Sequence, residues 1–151
     1  MISVFGASGF LGSEICNSLS LEDTKVDAVL RETSNPWRLE SSAMLEPIHL
    51  AQHQWKDYLD VKKPNVVVAA NWSGVSKNQR QDLMIQNENF DLVMELARYS
   101  KSAGAKKFIA FGSQGEVPNS SKLINENLTK PQGDSYGQTK SKIPQDSWLI
   151  L

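Results

Sequence analysis

The sequence predicts an α/β fold in which helices cover both faces of a doubly wound parallel sheet, in three layers. Apolar strand-like runs alternate with segments of helical spacing along the 151 residues, an order typical of parallel sheets with right-handed crossovers. The run NVVVAA at 65–70 lacks polar alternation, as in a strand that is buried on both faces. No repeat, low-complexity segment or linker divides the chain, so we expect one domain over residues 1–151.

Six short apolar runs are predicted to form the strands of this sheet. In chain order they are 2–5 (ISVF), 25–30 (KVDAVL), 47–50 (PIHL), 65–70 (NVVVAA), 107–112 (KFIAFG) and 148–151 (WLIL). Most are followed by polar, glycine or proline residues, which favour turns and loops. The chain is therefore expected to begin and end with a strand.

Four segments between these runs have helical spacing. They cover about residues 11–19, 55–61, 81–102 and 136–143. The second is expected to stop before Pro64, and Gly104 stands after the third, where a helix C-terminus favours glycine. Residues 113–135 are rich in Ser, Asn, Pro and Gly and are predicted to be loop.

Composition and charge argue against several classes of partner. The formal net charge is −1 and no basic stripe is present, so neither nucleic acid nor a membrane surface is expected as a partner. The apolar runs are too short to cross a bilayer, and no signal peptide precedes the first strand. A single cysteine, Cys16, cannot form an internal disulfide and fits the reducing cytoplasm.

A metal site is not expected. His49 and His53 are four residues apart, but nothing nearby completes a ligand set. Cys16 lies on the apolar face of the first helix, so we expect it to be buried filler rather than a reactive thiol.

The stretch GASGFLG places three glycines between the first strand and the first helix. In that context a glycine-rich turn indicates dinucleotide binding by a Rossmann-like domain. Gly6 would allow the tight turn, Gly9 the approach of a pyrophosphate, and Gly12 close packing of the helix on the sheet. The predicted cofactor loop comprises Gly6, Ser8, Gly9, Phe10, Leu11 and Gly12. The alternative is a tight turn that binds no ligand.

The spacing of these glycines resembles the cofactor loop of the extended short-chain dehydrogenase/reductase family, which includes NAD(P)-dependent sugar-nucleotide epimerases and dehydratases. Four later segments agree with that family in order: NWSGV, QNENFDLVMELA, FIAFGSQGEV and INENLTKPQGDSYGQTK. The resemblance covers nearly the whole chain. It implies an epimerase, dehydratase or reductase that acts on a nucleotide sugar.

The resemblance implies that Ser113, Tyr136 and Lys140 are catalytic. Tyr136 and Lys140 are four residues apart and so share one face of a helix. A lysine ammonium favours the phenolate of a nearby tyrosine, which can then take a proton from a substrate hydroxyl as hydride leaves the same carbon. Ser113 would hydrogen-bond the reacting oxygen, and Lys140 would also bind the nicotinamide ribose. The alternative is a surface pair on an ordinary helix.

Further cofactor contacts are implied at the strand ends. They are Leu50 after the third strand, Ala70 and Asn71 after the fourth, and Asn89 in the following helix. Leu50 would pack on the adenine ring. His49 stands where the family usually has an acid, which is a departure from its pattern.

Arg31 bears on the choice between NAD and NADP. It follows the second strand, where an arginine suits the 2′-phosphate of NADP by charge and forked geometry. NADP is therefore favoured over NAD. The alternative is a solvated loop arginine, and the adjacent Glu32 supports that alternative.

The resemblance also implies a C-terminal substrate lobe that these residues lack. Family members continue beyond the Tyr-x-x-x-Lys motif, whereas here Pro144 is expected to end or kink the helix that carries Lys140. Three functions remain open: an enzyme of nucleotide-sugar chemistry, a dinucleotide-binding module without catalysis, and a scaffold. A missing lobe would leave apolar surface bare, so self-association into a homo-oligomer is expected.

Overall fold

The computed structural model describes residues 1–117 and 133–143, and the backbone of 149–150. Six parallel strands form one sheet in the order β3-β2-β1-β4-β5-β6. The strands are β1 (Ile2–Phe5), β2 (Val26–Arg31), β3 (Leu45–Leu50), β4 (Val66–Ala69), β5 (Lys107–Ala110) and β6 (Leu149–Ile150). The predicted α/β parallel sheet is confirmed. Most of the loop predicted at 113–135, Pro144 and Trp148 lie outside the described residues.

Helices connect the strands at the predicted places. They are α1 (Phe10–Leu21), α2 (Trp55–Lys62), α3 (Leu83–Ser102) and α4 (Ser135–Lys140), with two short 3-10 helices at Gln79–Gln81 and Gln114–Glu116. Helix α3 begins later than predicted because the Asp82 side chain caps it, accepting the N–H groups of Met84 and Ile85. Gly104 has φ +94°, as a glycine after a helix C-terminus allows.

Two apolar clusters lie on opposite faces of the sheet. One contains Leu59 of α2, Leu96 of α3 and Phe108 of β5. The other contains Val4, Ala28 and the wholly buried Cys16 of α1, which confirms that this cysteine is core filler. On that second face an apolar groove of about 440 Å³ remains beside α1, with a floor formed by Val66, Val68 and Ile109.

A polar cluster lies near the amino ends of β1, β2 and β3. Asp27 is wholly buried, and its Oδ2 accepts a hydrogen bond from the Tyr58 hydroxyl at 2.8 Å. The Tyr58 oxygen lies 2.6 Å from Ser3 Oγ, and Lys62 Nζ lies 3.5 Å from Asp27 Oδ2 and 3.3 Å from Glu46 Oε2. Burial raises the pKa of Tyr58, and the neighbouring Asp27 carboxylate raises it further. This cluster stabilises the end of the sheet opposite the predicted site.

The strand order places a switch point beside β1. The chain runs from β1 to β2 and β3 on one side, and then returns to β4 and β5 on the other. In open α/β sheets, ligands bind at the carboxyl ends of the strands at such a point. The loops after Phe5, Ala69 and Ala110 therefore define the place to look for a site.

Candidate active site

The glycine loop after β1 is packed too closely for side chains at two of its positions. Gly6 has φ +81°, and a Cβ atom there would lie 2.6 Å from the Ala70 carbonyl oxygen and 2.8 Å from Asn71 Cα. A Cβ atom at Gly12 would overlap the Gly6 carbonyl oxygen. Glycine is therefore required at Gly6 to turn the chain beside β4, and at Gly12 to seat α1 on the turn.

The start of α1 leaves its first amides available. Gly9 is the N-cap residue and offers no side-chain cap, while its carbonyl accepts the Ser13 N–H at 3.0 Å. The N–H groups of Phe10, Leu11 and Gly12 belong to the first turn, which has no intrahelical acceptors. No acidic residue lies in this turn. Such a helix start suits an anionic group such as a diphosphate.

Arg31 and Leu50 lie side by side at the ends of β2 and β3. They are paired in the sheet register, and the Glu32 N–H donates to the Leu50 carbonyl at 3.0 Å. Arg31 is exposed, and no ion pair involves it within residues 1–117 and 133–143. Leu50 packs partly on the core, and His49 is exposed.

The loop after β4 is shaped by buried amides of α3. Asn89 Oδ1 accepts the N–H and hydroxyl of Ser73, and its Nδ2 donates to the carbonyls of Ser73 and Ile85, all at 2.9–3.0 Å. Asn89 thus holds the loop in place. Asn71 is different, because its Oδ1 is buried without a hydrogen-bond partner beside the Gly6 turn. An orphaned buried acceptor calls for an explanation, and a donor from a bound ligand is one.

Gln86 is a second buried amide that the sequence analysis missed. It is wholly buried, its Oε1 accepts the Trp72 indole N–H at 2.8 Å, and its Nε2 donates to the carbonyls of Gly74 and Gln79 at 3.1 and 2.9 Å. It lies three residues before Asn89 on the same face of α3. Two amides on the buried face of an amphipathic helix were the available signal.

Ser113 caps the 3-10 helix that follows β5. Its Oγ accepts the Gly115 N–H at 3.1 Å, and Glu116 Oε1 accepts the Ser113 N–H at 2.6 Å, which forms a capping box. Gly137 of α4 packs against the Gly115 carbonyl so closely that a Cβ atom would overlap it. A Cβ atom at Gly115 would lie 3.5 Å from both Ser113 Oγ and Tyr136 Cδ1. Ser113 and Tyr136 therefore flank the same point.

Lys140 is buried beside Tyr136. Its Nζ donates to the Phe111 carbonyl and lies 4.4 Å from the Trp72 ring centroid and 5.7 Å from that of Tyr136. The Trp72 and Tyr136 rings meet edge to face at 6.0 Å. Burial lowers the pKa of Lys140, and the nearby Glu116 carboxylate partly opposes that shift. The structure thus brings the three predicted catalytic residues together around one loop and one helix.

An ion pair missed by the sequence analysis borders this cluster. Arg80 Nε lies 2.6 Å from Asp134 Oδ2, and the guanidinium carbon lies 4.3 Å from the Tyr136 ring centroid. The hydrogen bond from Arg80 lowers the pKa of Asp134, despite a raising effect of burial. Asp134 also caps α4 by accepting the Gly137 N–H at 2.9 Å. An aspartate just before a helix was a readable N-cap signal.

Comparison with known protein families shows the family to which the chain belongs. A model of the NAD-dependent epimerase/dehydratase family matches residues 2–145, which is nearly the whole chain. The chain belongs to the NAD-dependent epimerase/dehydratase family. A search of curated proteins finds no match to its sequence.

Solved structures share the fold of this epimerase/dehydratase chain. The Bordetella bronchiseptica enzyme WbmG, in complex with NAD and UDP, matches with a TM-score of 0.69 at 19% identity, over 93% of this chain and 46% of that one. The UDP-Glc/GlcNAc 4-epimerase of Campylobacter jejuni matches with a TM-score of 0.77 at 16% identity, over 92% and 45%. The UDP-glucose 4-epimerase of Thermotoga maritima, with UDP-glucose, matches at 0.68 and 20%, over 92% and 47%. The chain spans less than half the length of each.

The residues of this family member fit an NAD-type cofactor at the glycine loop. The turn leaves no space for side chains at Gly6 and Gly12, the start of α1 is uncapped, and Asn71 Oδ1 lacks a partner. Within the part of the chain that the structure describes, no three His, Cys, Asp or Glu side chains gather as metal ligands would. No described helix is long and apolar enough to span a membrane.

Proposed function

We propose that the chain is the cofactor-binding and catalytic part of an enzyme that epimerises, dehydrates or reduces a nucleotide sugar at a carbinol carbon. The proposal rests chiefly on the convergence of Ser113, Tyr136 and Lys140 beyond the carboxyl end of β5, the edge of the sheet that also carries the glycine loop. A single domain of residues 1–151 would hold both the catalytic residues and the glycine loop. The UDP-sugar epimerases among the structural neighbours support a nucleotide sugar as the substrate class.

The chain's own residues would manage the proton in this reaction. NAD, when bound, supplies the hydride acceptor and donor. The Tyr136 oxygen takes the proton of the substrate hydroxyl and returns it in the reverse direction. Lys140 places its ammonium nitrogen 5.7 Å from the Tyr136 ring centroid. Ser113 Oγ spends one lone pair on the Gly115 N–H, and its own hydrogen serves to hold the substrate oxygen.

NADP(H) is the proposed form of the cofactor. The exposed guanidinium of Arg31 at the end of β2 supports it, because a forked cation matches a 2′-phosphate. The family is named for NAD dependence, and WbmG is in complex with NAD, so both dinucleotides must be compared.

Calorimetric titration of the chain with NAD, NADH, NADP and NADPH tests the cofactor proposal. Binding at micromolar concentration is expected, with the phosphorylated forms tighter. Arg31→Ala should remove that preference, while Arg98→Ala, at an exposed position on α3, should leave it intact. Tighter binding of NADH than of NADPH, unchanged in Arg31→Ala, would assign the chain to NAD, and equal affinities would contradict the preference for NADP. Binding of none of the four would contradict the proposed function.

Tyr136→Phe tests the catalytic assignment. The wild-type chain is incubated with NAD or NADP and UDP-glucose, and the sugar products are separated by chromatography, because epimerisation and dehydration return the hydride and leave no net reduced nicotinamide. The variant is expected to bind cofactor as the wild type does and to lose hydride transfer. Normal turnover by Tyr136→Phe would refute the role of Tyr136 as acid and base.

A cofactor-binding module without catalysis is the second candidate function. It is favoured by the glycine loop and the uncapped start of α1, which suit a dinucleotide whether or not catalysis follows. It predicts tight cofactor binding with no hydride transfer to any UDP-sugar. A scaffold that has lost the ligand predicts neither, and the requirement for glycine at Gly6 and Gly12 weighs against it.

A further inference from the structure

Arg80 connects the loop after β4 to the tyrosine helix. It lies in the 3-10 helix Gln79–Gln81 and forms its ion pair with Asp134, 54 residues further along the chain. Its guanidinium carbon lies over the Tyr136 ring at 4.3 Å. A Cβ atom at Gly115 would lie 3.0 Å from its Nη2. We propose that Arg80 is a positioning residue that fixes the Tyr136 ring, and with it the phenol oxygen, relative to Ser113.

The contacts around Arg80 hold the backbone just before Tyr136. Asp134, its ion-pair partner, caps α4 through the Gly137 N–H. The next residue, Ser135, donates its hydroxyl hydrogen to the Gln81 carbonyl at 3.0 Å. Two bonds therefore hold the backbone just before Tyr136 against the loop. The guanidinium adds a third contact, on the ring itself, where a lysine would offer a point charge in place of a planar, forked group.

The loop that carries Arg80 is itself anchored. The buried Gln86 Nε2 donates to the Gln79 carbonyl, next to Arg80, and Gln86 Oε1 accepts the Trp72 indole N–H. Trp72 in turn contacts the Tyr136 ring edge to face. Gln86 thus supports both groups that touch the ring, so the position of Arg80 is set by the core of the fold rather than by solvent.

The functional weight of Arg80 rests on the proposed role of Tyr136 as acid and base. Proton transfer needs the phenol oxygen within hydrogen-bond reach of the substrate hydroxyl. Misplacement by roughly 1 Å can cost about 100-fold in rate. Arg80 is therefore expected to affect the rate constant for hydride transfer and not the affinity for the cofactor.

Fluorine NMR of the chain labelled with 3-fluorotyrosine reads the ring directly. The sequence has three tyrosines, so the spectrum has three assignable resonances. Arg80→Gln is expected to shift the Tyr136 resonance and to leave those of Tyr58 and Tyr99 in place. Arg80→Lys can keep the ion pair with Asp134 and hence the fold, but it lacks the planar contact, so its Tyr136 resonance should also shift. Arg38→Gln, at an exposed position that is distant in sequence from all three tyrosines, is the control and should shift none.

Two NMR outcomes would overturn the proposal. One is an unchanged Tyr136 resonance in Arg80→Lys, and the other is an equal shift of all three tyrosines, which would mean a general loosening of the fold. If Arg80→Gln does not fold, Arg80→Lys decides alone.

In the kinetic arm, with NAD and UDP-glucose, a large fall in kcat with unchanged cofactor Kd is expected, and an unchanged kcat would refute positioning. If the wild type itself shows no turnover, the proposed function fails while the NMR result still decides the role of Arg80.

Discussion

Removal of the Tyr58 hydroxyl should destabilise the fold far more than removal of the Tyr99 hydroxyl. Both hydroxyls donate to an aspartate, Tyr58 to Asp27 at 2.8 Å and Tyr99 to Asp60 at 2.6 Å. Asp27 is wholly buried, whereas the bond to Asp60 lies at the surface. The pair of variants Tyr58→Phe and Tyr99→Phe therefore compares one chemical bond in two environments.

The magnitude follows from the groups that lose a partner. The single phenolic hydrogen of Tyr58 goes to Asp27, so the Ser3 hydroxyl donates to the Tyr58 oxygen. A hydrogen bond to a charged group contributes about 1.5–3 kcal/mol, and an orphaned buried donor costs about 1 kcal/mol or more. Asp27 Oδ1 already lacks a partner, so Asp27 keeps only Lys62 Nζ at 3.5 Å. Tyr58→Phe is expected to lower the free energy of unfolding by about 3 kcal/mol.

Urea unfolding, followed by circular dichroism, measures both variants. The Tyr99→Phe midpoint should stay near that of the wild type, since exposed bonds compete with water. Neither variant should change the Kd for NAD, because three residues of strand, roughly 10 Å, separate the cluster from the glycine loop. A Tyr58→Phe loss no larger than that of Tyr99→Phe would refute the reasoning.

Three further predictions concern the site. Lys140→Met should have a urea midpoint equal to or above that of the wild type. Because the pKa of Lys140 is lowered in the fold, wild-type stability should rise with pH up to the unfolded value of 10.5, and the variant should lack that rise. Clear destabilisation of the variant would contradict this prediction. Asp134→Asn should be less stable than the wild type at neutral pH. In a pH series this difference in stability should disappear as the pH falls below 3.8 and through the lowered pKa of Asp134. A difference that stays constant with pH would show another cause. Gly12→Ala should displace α1 and weaken NAD binding, as measured by calorimetry. Gly104→Ala is the control: a Cβ atom there has open space but φ is +94°, so the variant should lose about 1–2 kcal/mol of stability and keep its affinity for NAD. Equal losses of NAD affinity in the two variants would refute this prediction.

The strands, and their alternation with helices along the chain, could be predicted because their sequence signal is local. The run at 65–70 is continuous and apolar, and it forms β4 at the centre of the sheet. The third strand was predicted to start at Pro47 but begins at Leu45, since β3 is an edge strand and an edge tolerates proline. Residues 113–117 were predicted as loop and contain a capped 3-10 helix, a detail that depends on the Glu116 side chain.

The support of the site was not readable because it is made of long-range contacts. Tyr136 and Lys140 were predicted because the segment that contains them resembles the Tyr-x-x-x-Lys motif of the family. Arg80 and Asp134 are 54 residues apart, and no periodicity relates them. Asn89 was predicted to contact the cofactor, which stays a prediction, while in the structure its polar atoms hold Ser73 and Ile85.

The position of Lys140 is itself an argument for chemistry. The residue is 6% exposed, and no carboxylate forms an ion pair with its ammonium group among the described residues. One carbonyl and the faces of Trp72 and Tyr136 surround it, and burial makes its charged form costly, as the lowered pKa indicates. A methionine would fill the same space without that penalty. A buried cation that costs stability beside a tyrosine supports the proposal that Lys140 acts with Tyr136 in catalysis.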